Sequence, residues 1–299
     1  MNHSKKMHYP WLWVTLSVLS WSTVASASKW TLDYIHPFWM LFFSSLTASI
    51  VLWIMQAVHP SYNINNNIKW KWVFLGLINP FFYYLLLFEA YRTTPAQEAL
   101  VINYTWGILL ALLSSIVFKK PLKINTISGM LISFAGVWAL ISGGDLLLPN
   151  ISWGNFLAFF SAFVWALYWI CNMKEEKKPL SALFIQFATG TLAILLFSIF
   201  FSPIPDLFLT HGILGSIYLG FFEMSLPFFW WLLALQQSSS DPRIIHWIYL
   251  SPVLSMVWIG VFLGEEVSIY SWMGLILVLG GIFLGKINFS TKRNLKIPE

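Results

Sequence analysis

Cysteine is nearly absent from this chain, with one residue, Cys171, among 299. A lone thiol excludes an internal disulfide, and no Cys/His cluster has the spacing of a zinc or iron–sulfur site, so no metal or other cofactor is expected. Charge is scarce as well. Only 10% of the residues are Asp, Glu, Lys or Arg, against about 25% in soluble domains, which argues against a soluble enzyme. Disorder requires low hydrophobicity and high charge; this chain is 58% hydrophobic and 18% aromatic, with mean hydropathy +0.71. A net charge of +5 points to nucleic acid only in a soluble protein. Here no nucleic-acid partner is expected, and the placement of the basic residues is what carries information.

A bilayer core of roughly 30 Å takes about 20 apolar residues per helix. Dividing the chain at charges, polar runs and Pro, Gly or Asn clusters gives ten such segments, at about 11–30, 37–58, 70–91, 97–118, 124–142, 152–173, 181–202, 212–236, 243–263 and 269–286. The expected fold is therefore all-α and membrane-integral, with ten transmembrane helices. With both termini in the cytoplasm, Lys5, Lys6, Lys69, Lys71, Lys119, Lys120, Lys123, Lys174, Lys177, Lys178, Arg243, Lys286, Lys292, Arg293 and Lys296 fall inside, and only Lys29 and Arg92 fall outside. That asymmetry follows the positive-inside rule and fits a multi-pass protein of a bacterial cytoplasmic membrane. The first segment ends in Ala25-Ser26-Ala27 and is preceded by Lys5 and Lys6, which also resembles a signal-peptidase site. It is kept as a span because it has a counterpart later in the chain.

That counterpart belongs to an internal repeat. An offset of 145 aligns Tyr104 with Tyr249, Ile124 with Ile269, Gly129 with Gly274 and Gly136 with Gly281; an offset of 147 aligns Pro80-Phe81-Phe82 with Pro227-Phe228-Phe229. Residues 1–145 and 146–286 are thus expected to be two five-span repeats, followed by a short cytoplasmic tail at 287–299. Five is odd, so the second repeat enters the membrane from the opposite side. Inverted repeats of this kind are a transporter architecture with a substrate site near midplane.

The second half carries Tyr249-Leu-Ser-Pro252, then Phe262-Leu-Gly-Glu265, then Gly274 and Gly281; the first carries Trp21-Ser22-Thr23 and Asn103-Tyr104-Thr105-Trp106. Over essentially the whole chain the sequence resembles the drug/metabolite transporter superfamily, of the type with two EamA domains, and the first half is closer to the branch of aromatic amino acid exporters. The resemblance implies a substrate path lined by spans 1, 3, 4, 6, 8 and 9. Two positions depart from it. Gly107 stands where a proline follows the Asn103 motif, and Lys120 is the first-half counterpart of Glu265.

Glu223 is the one charged residue near the centre of a span, where a charge persists only if paired, hydrated or protonated. It is the candidate for proton coupling and for substrate contact, with a protonated structural role as the alternative. On a helical wheel it shares a face with Ser216, Gly220, Pro227 and Trp230, which is expected to point inward. Pro227 should free the carbonyl of Glu223, and Pro80 that of Gly76, beside Asn79. Further candidate substrate contacts are Trp21 and Trp165, equivalent between repeats and too deep for interfacial belts, Tyr104 and Tyr249, the deep amides Asn79 and Asn103, and His246. For each, packing within the bundle is the alternative. Glu89 and Arg92, three residues apart on one helix face, are a candidate extracellular gate or else a static surface pair. Gly260/Gly264 and Gly281/Gly285 have the spacing of close helix contacts.

These readings converge on a secondary transporter working by alternating access, an exporter of a small metabolite such as an amino acid. The expected partners are membrane lipid, the substrate and protons, in a monomer or homodimer. A membrane enzyme using Glu223 or His246 as acid or base, and a receptor or scaffold, are the other classes considered; neither makes use of the repeat.

Overall fold

The computed structural model describes residues 9–58, 69–119, 121–143, 151–172, 179–205, 210–237 and 247–286. Among them the chain is helical, without a strand, as expected where no water is present to satisfy open backbone groups. Its elements are α1 (Pro10–Ser22), α2 (Val24–Leu32), α3 (Pro37–Val58), α4 (Trp70–Gly76), α5 (Tyr83–Thr93), α6 (Ala96–Asn103), α7 (Trp106–Val117), α8 (Ile124–Ser142), α9 (Trp153–Asn172), α10 (Pro179–Phe201), α11 (Thr210–Phe222), α12 (Leu226–Gln237), α13 (Leu250–Trp258) and α14 (Ile269–Lys286). Seven helical stretches among the described residues are long and apolar enough to cross a membrane: Pro37–Val58, Trp70–Thr93, Ala96–Val117, Ile124–Ser142, Trp153–Asn172, Leu180–Phe201 and Thr210–Ala234. At the other three predicted spans stand α1 with α2, and two shorter apolar helices, Leu250–Leu263 and Ile269–Gly285.

The long helices are interrupted where the sequence removes a donor or offers a competing one. Pro80 lies in a widened turn, Leu77–Phe82, in which Asn79 is extended (φ −141°, ψ 119°). Between α11 and α12 the chain turns at 223–225, just before Pro227. As expected, the carbonyl of Glu223 is left without a helical partner, and it accepts the indole N–H of Trp21 at 3.3 Å. The break between α6 and α7 falls at Tyr104 and Thr105 without a proline; the Thr105 hydroxyl donates to the Ile102 carbonyl at 2.7 Å, competing for the backbone. Gly107 lies just beyond that break.

Packing pairs α1 with α12, α5 with α9, α3 with α10, and most extensively α8 with α14. In the last pair the backbones almost touch. A side chain on Gly281 would collide with the Gly129 carbonyl, and one on Gly136 would lie 2.8 Å from the Gly274 carbonyl. Ser133 donates across the seam to the Val278 carbonyl at 3.0 Å, and Thr126 to that of Gly285 at 3.2 Å. Gly281→Leu is therefore expected to lower stability by about 3 kcal/mol, read as a lower unfolding temperature in detergent. Gly280→Leu is the control, since that position faces open space; equal losses in both would refute the role of the seam. The other GxxxG spacing serves no such contact, because Gly264 is left-handed (φ 66°) and ends the helix. Bulky apolar side chains such as Trp53, Phe74, Leu131, Phe200 and Ile276 are exposed, forming the surface a lipid phase would cover.

Candidate functional site

The interrupted helices surround a cavity of about 340 Å³, within the roughly 300–1,000 Å³ of small-molecule sites. Its wall contains six of the residues singled out from the sequence: Trp21, Asn103, Tyr104, Trp165, Glu223 and Tyr249. Each sits at or near a helix break or on a helix facing one. Glu223 begins the turn between α11 and α12, is 8% exposed, and accepts the Tyr84 hydroxyl on Oε1 at 2.7 Å. A hydrogen bond of this length orients the carboxyl group. Asn103, the last residue of α6, donates to the Ser161 hydroxyl at 2.9 Å and lies 3.5 Å from the Tyr83 hydroxyl.

The rest of the wall is apolar, aromatic and aliphatic in equal part. Trp165 stacks on Tyr83 (4.5 Å between ring centres, 24° between planes) and on Tyr168 (5.3 Å, 17°). Phe228 stands edge-on to both predicted tryptophans, 5.5 Å from Trp21 and 6.3 Å from Trp165. The two tryptophans thus meet through a phenylalanine that the sequence reading did not select.

Tyr83, Tyr84, Trp169, Phe228 and Trp231 were all missed. Tyr83 and Tyr84 carry hydroxyls well inside their span, the signal that could have found them. The face through Ser216, Gly220, Glu223 and Pro227 is buried, as expected of one pointing inward, but within it Glu223 alone lines the cavity: Gly220 packs against Ser44 and Thr47 of α3, and Phe228 and Trp231 complete the wall. The turn at 223–225 rotates α12 relative to the wheel drawn through an unbroken helix.

Asn79 is fully buried, and its amide neighbours the Tyr168 hydroxyl outside the cavity wall. His246 and Lys120 lie outside the described residues. Glu89 and Arg92 form a bidentate ion pair within α5.

Beyond that pair, one end of the bundle is tied by contacts between distant elements. Lys29 donates to the carbonyls of Tyr91 (2.7 Å) and Thr94 (2.8 Å). Glu98 accepts from Asn155 of α9 at 2.7 Å. Pro95 has no side-chain acceptor to cap α6, and Glu265 does so from across the chain, with both carboxylate oxygens 3.1 Å from the Ala96 N–H. Gln97 next to it donates to the Glu266 carbonyl at 3.0 Å and accepts from Ser271 at 2.6 Å. Arg92 lines the shallow depression beside Glu265 and Gln97.

Helices of membrane-crossing length around an aromatic cavity with a single carboxylate define a polytopic membrane protein built to hold a small molecule. The EamA-like transporter family model matches residues 9–142 and 152–285, and the chain belongs to that family, within the drug/metabolite transporter superfamily. It is 24% identical over 290 residues to an uncharacterized transporter of Archaeoglobus fulgidus, covering 91% of this chain and 96% of the relative. It is 25% identical to the aromatic amino acid exporter YddG of Ancylobacter novellus, over 80% of this chain and 83% of that one, and 25% identical to YddG of Escherichia coli, over 67% and 71%. A solved crystal structure superposes with a TM-score of 0.65 at 22% identity, covering 92% of this chain and 95% of the other, a likeness of fold.

Proposed function

We propose that this protein is a secondary carrier whose ten spans form two inverted repeats of five, rocking around the aromatic cavity to export a small metabolite with an apolar body and an amino group. That description includes amino acids, the substrates named for two of its relatives. The observation that carries the reading is the Glu223 carboxyl, held by Tyr84 at 2.7 Å in the wall of the cavity, with the Lys29 end of the bundle cross-linked by hydrogen bonds between distant elements. A site closed on one side is what alternating access requires of any single state.

The pairing of helices supports the repeat. Exchanging the halves turns the packing of α1 on α12 into that of α9 on α5, and α7 on α9 into α13 on α1, while α3 with α10 and α8 with α14 map onto themselves. The Lys29 end is the extracellular side by the placement of basic residues. Glu265, Gln97 and Lys29 close it, with the Glu89–Arg92 pair at its rim. Glu223 couples transport to protons by exchanging a proton for the substrate's positive charge.

Purified protein in proteoliposomes, offered labelled amino acids, amines and nucleosides under an imposed pH gradient, tests this reading. Saturable flux of at least one amino-bearing class, accelerated by the gradient, is expected. Absence of flux in every class from monodisperse, helical protein would defeat it.

A further inference from the structure

We infer that the cavity selects an organic amine, a cation with a flat apolar body, over both an α-amino acid and an organic acid; this rests on the carrier reading above. The inference stands on the inventory of charge. Among the described residues that line the cavity, Glu223 alone carries a formal charge, and none is Lys, Arg or His. The two cations at the closed end are committed elsewhere, Lys29 to the carbonyls of Tyr91 and Thr94 and Arg92 to Glu89.

Several other donors that could meet a carboxylate are engaged within the protein, whereas the indole N–H of Trp169 in the wall has no partner among the described residues. The Asn103 amide nitrogen is given to Ser161, and the Trp21 indole N–H to the Glu223 carbonyl. A substrate carboxylate would enter a largely apolar space beside the Glu223 carboxyl, and would lose its hydration without gaining a counter-charge from the described wall. An ammonium finds the opposite. Tyr84 engages Oε1 of Glu223, and Oε2 has no hydrogen bond among the described residues. Trp21, Tyr83 and Trp165 line the same cavity, aromatic surroundings that favour a desolvated cation.

Three compounds with one ring system and different charge separate the cases: tryptamine (cation), tryptophan (zwitterion) and indole-3-propionate (anion). The full-length protein in proteoliposomes is loaded with unlabelled compound, and counterflow of the labelled one is followed, with each of the others as competitor. Tryptamine is expected to half-saturate at a concentration about ten-fold or more below that of tryptophan, with no competition from indole-3-propionate. Glu223→Gln should abolish the preference and Glu223→Asp should retain it, which distinguishes loss of the charge from loss of the fold. Saturable tryptophan flux with tryptamine no better overturns the inference and leaves the carrier reading intact. Movement of none of the three overturns it too, and the carrier reading is then judged by the wider panel.

Discussion

In the Glu223→Gln variant, flux driven by an imposed pH gradient is expected to fall roughly 100-fold, the scale on which removing one member of a buried charge interaction acts, and the gradient should no longer alter whatever exchange remains. Glutamine keeps the size of the side chain and can still accept the Tyr84 hydroxyl, whose bond to the carboxylate is 2.7 Å. What it lacks is the capacity to alternate between charged and neutral forms. Tyr84→Phe removes the orienting bond but leaves the carboxyl, and should cost about ten-fold, as for a hydrogen bond to a charged group, with dependence on the gradient preserved. Counterflow measured with and without the gradient in both variants separates the two roles. Gradient-driven flux that persists in Glu223→Gln would remove this residue from the coupling mechanism.

The second large effect is expected at the closed end. Glu265 caps α6 from the opposite half of the chain, and a helix cap is worth about 0.5–2 kcal/mol. Glu265→Ala should therefore shift the population toward the state open at that end by roughly ten-fold. The readout is a cysteine at Leu100, which lines the cavity one turn into α6, in a background where the exposed Cys171 is serine. Its labelling by a membrane-impermeant thiol reagent applied from the Lys29 side should accelerate by that factor. Unchanged labelling would mean that the contact decorates the closed state without holding it.

Much of this site was legible in the sequence because membranes make polarity conspicuous. One carboxyl in the middle of a span is costly enough to announce itself, and the repeat register brought out Trp21, Trp165, Tyr104 and Tyr249 in pairs. The same medium hides the rest. In a span apolar on every side, periodicity cannot distinguish the face toward lipid from the face toward a cavity, so Phe228 and Trp231 looked like any other bulk. A helical wheel also assumes an unbroken helix, and the turn at 223–225 voids that assumption just where the wall is built. The cap on α6 was invisible for a different reason: Ala96 and Glu265 are 169 positions apart, and neither residue type announces the contact.

The seam between α8 and α14 has a meaning apart from stability. Gly129 meets Gly281 while Gly136, the counterpart of Gly281, meets Gly274, the counterpart of Gly129. Each helix thus offers its neighbour the surface it receives, the self-complementary relation found at a two-fold interface between identical subunits. Neither helix contributes a residue to the cavity wall among those described. A substitution on this face is therefore felt across the seam, so that the two helices are constrained as one surface, while the residues around the cavity are free to differ between the halves, one carrying Glu223 and the other Tyr84.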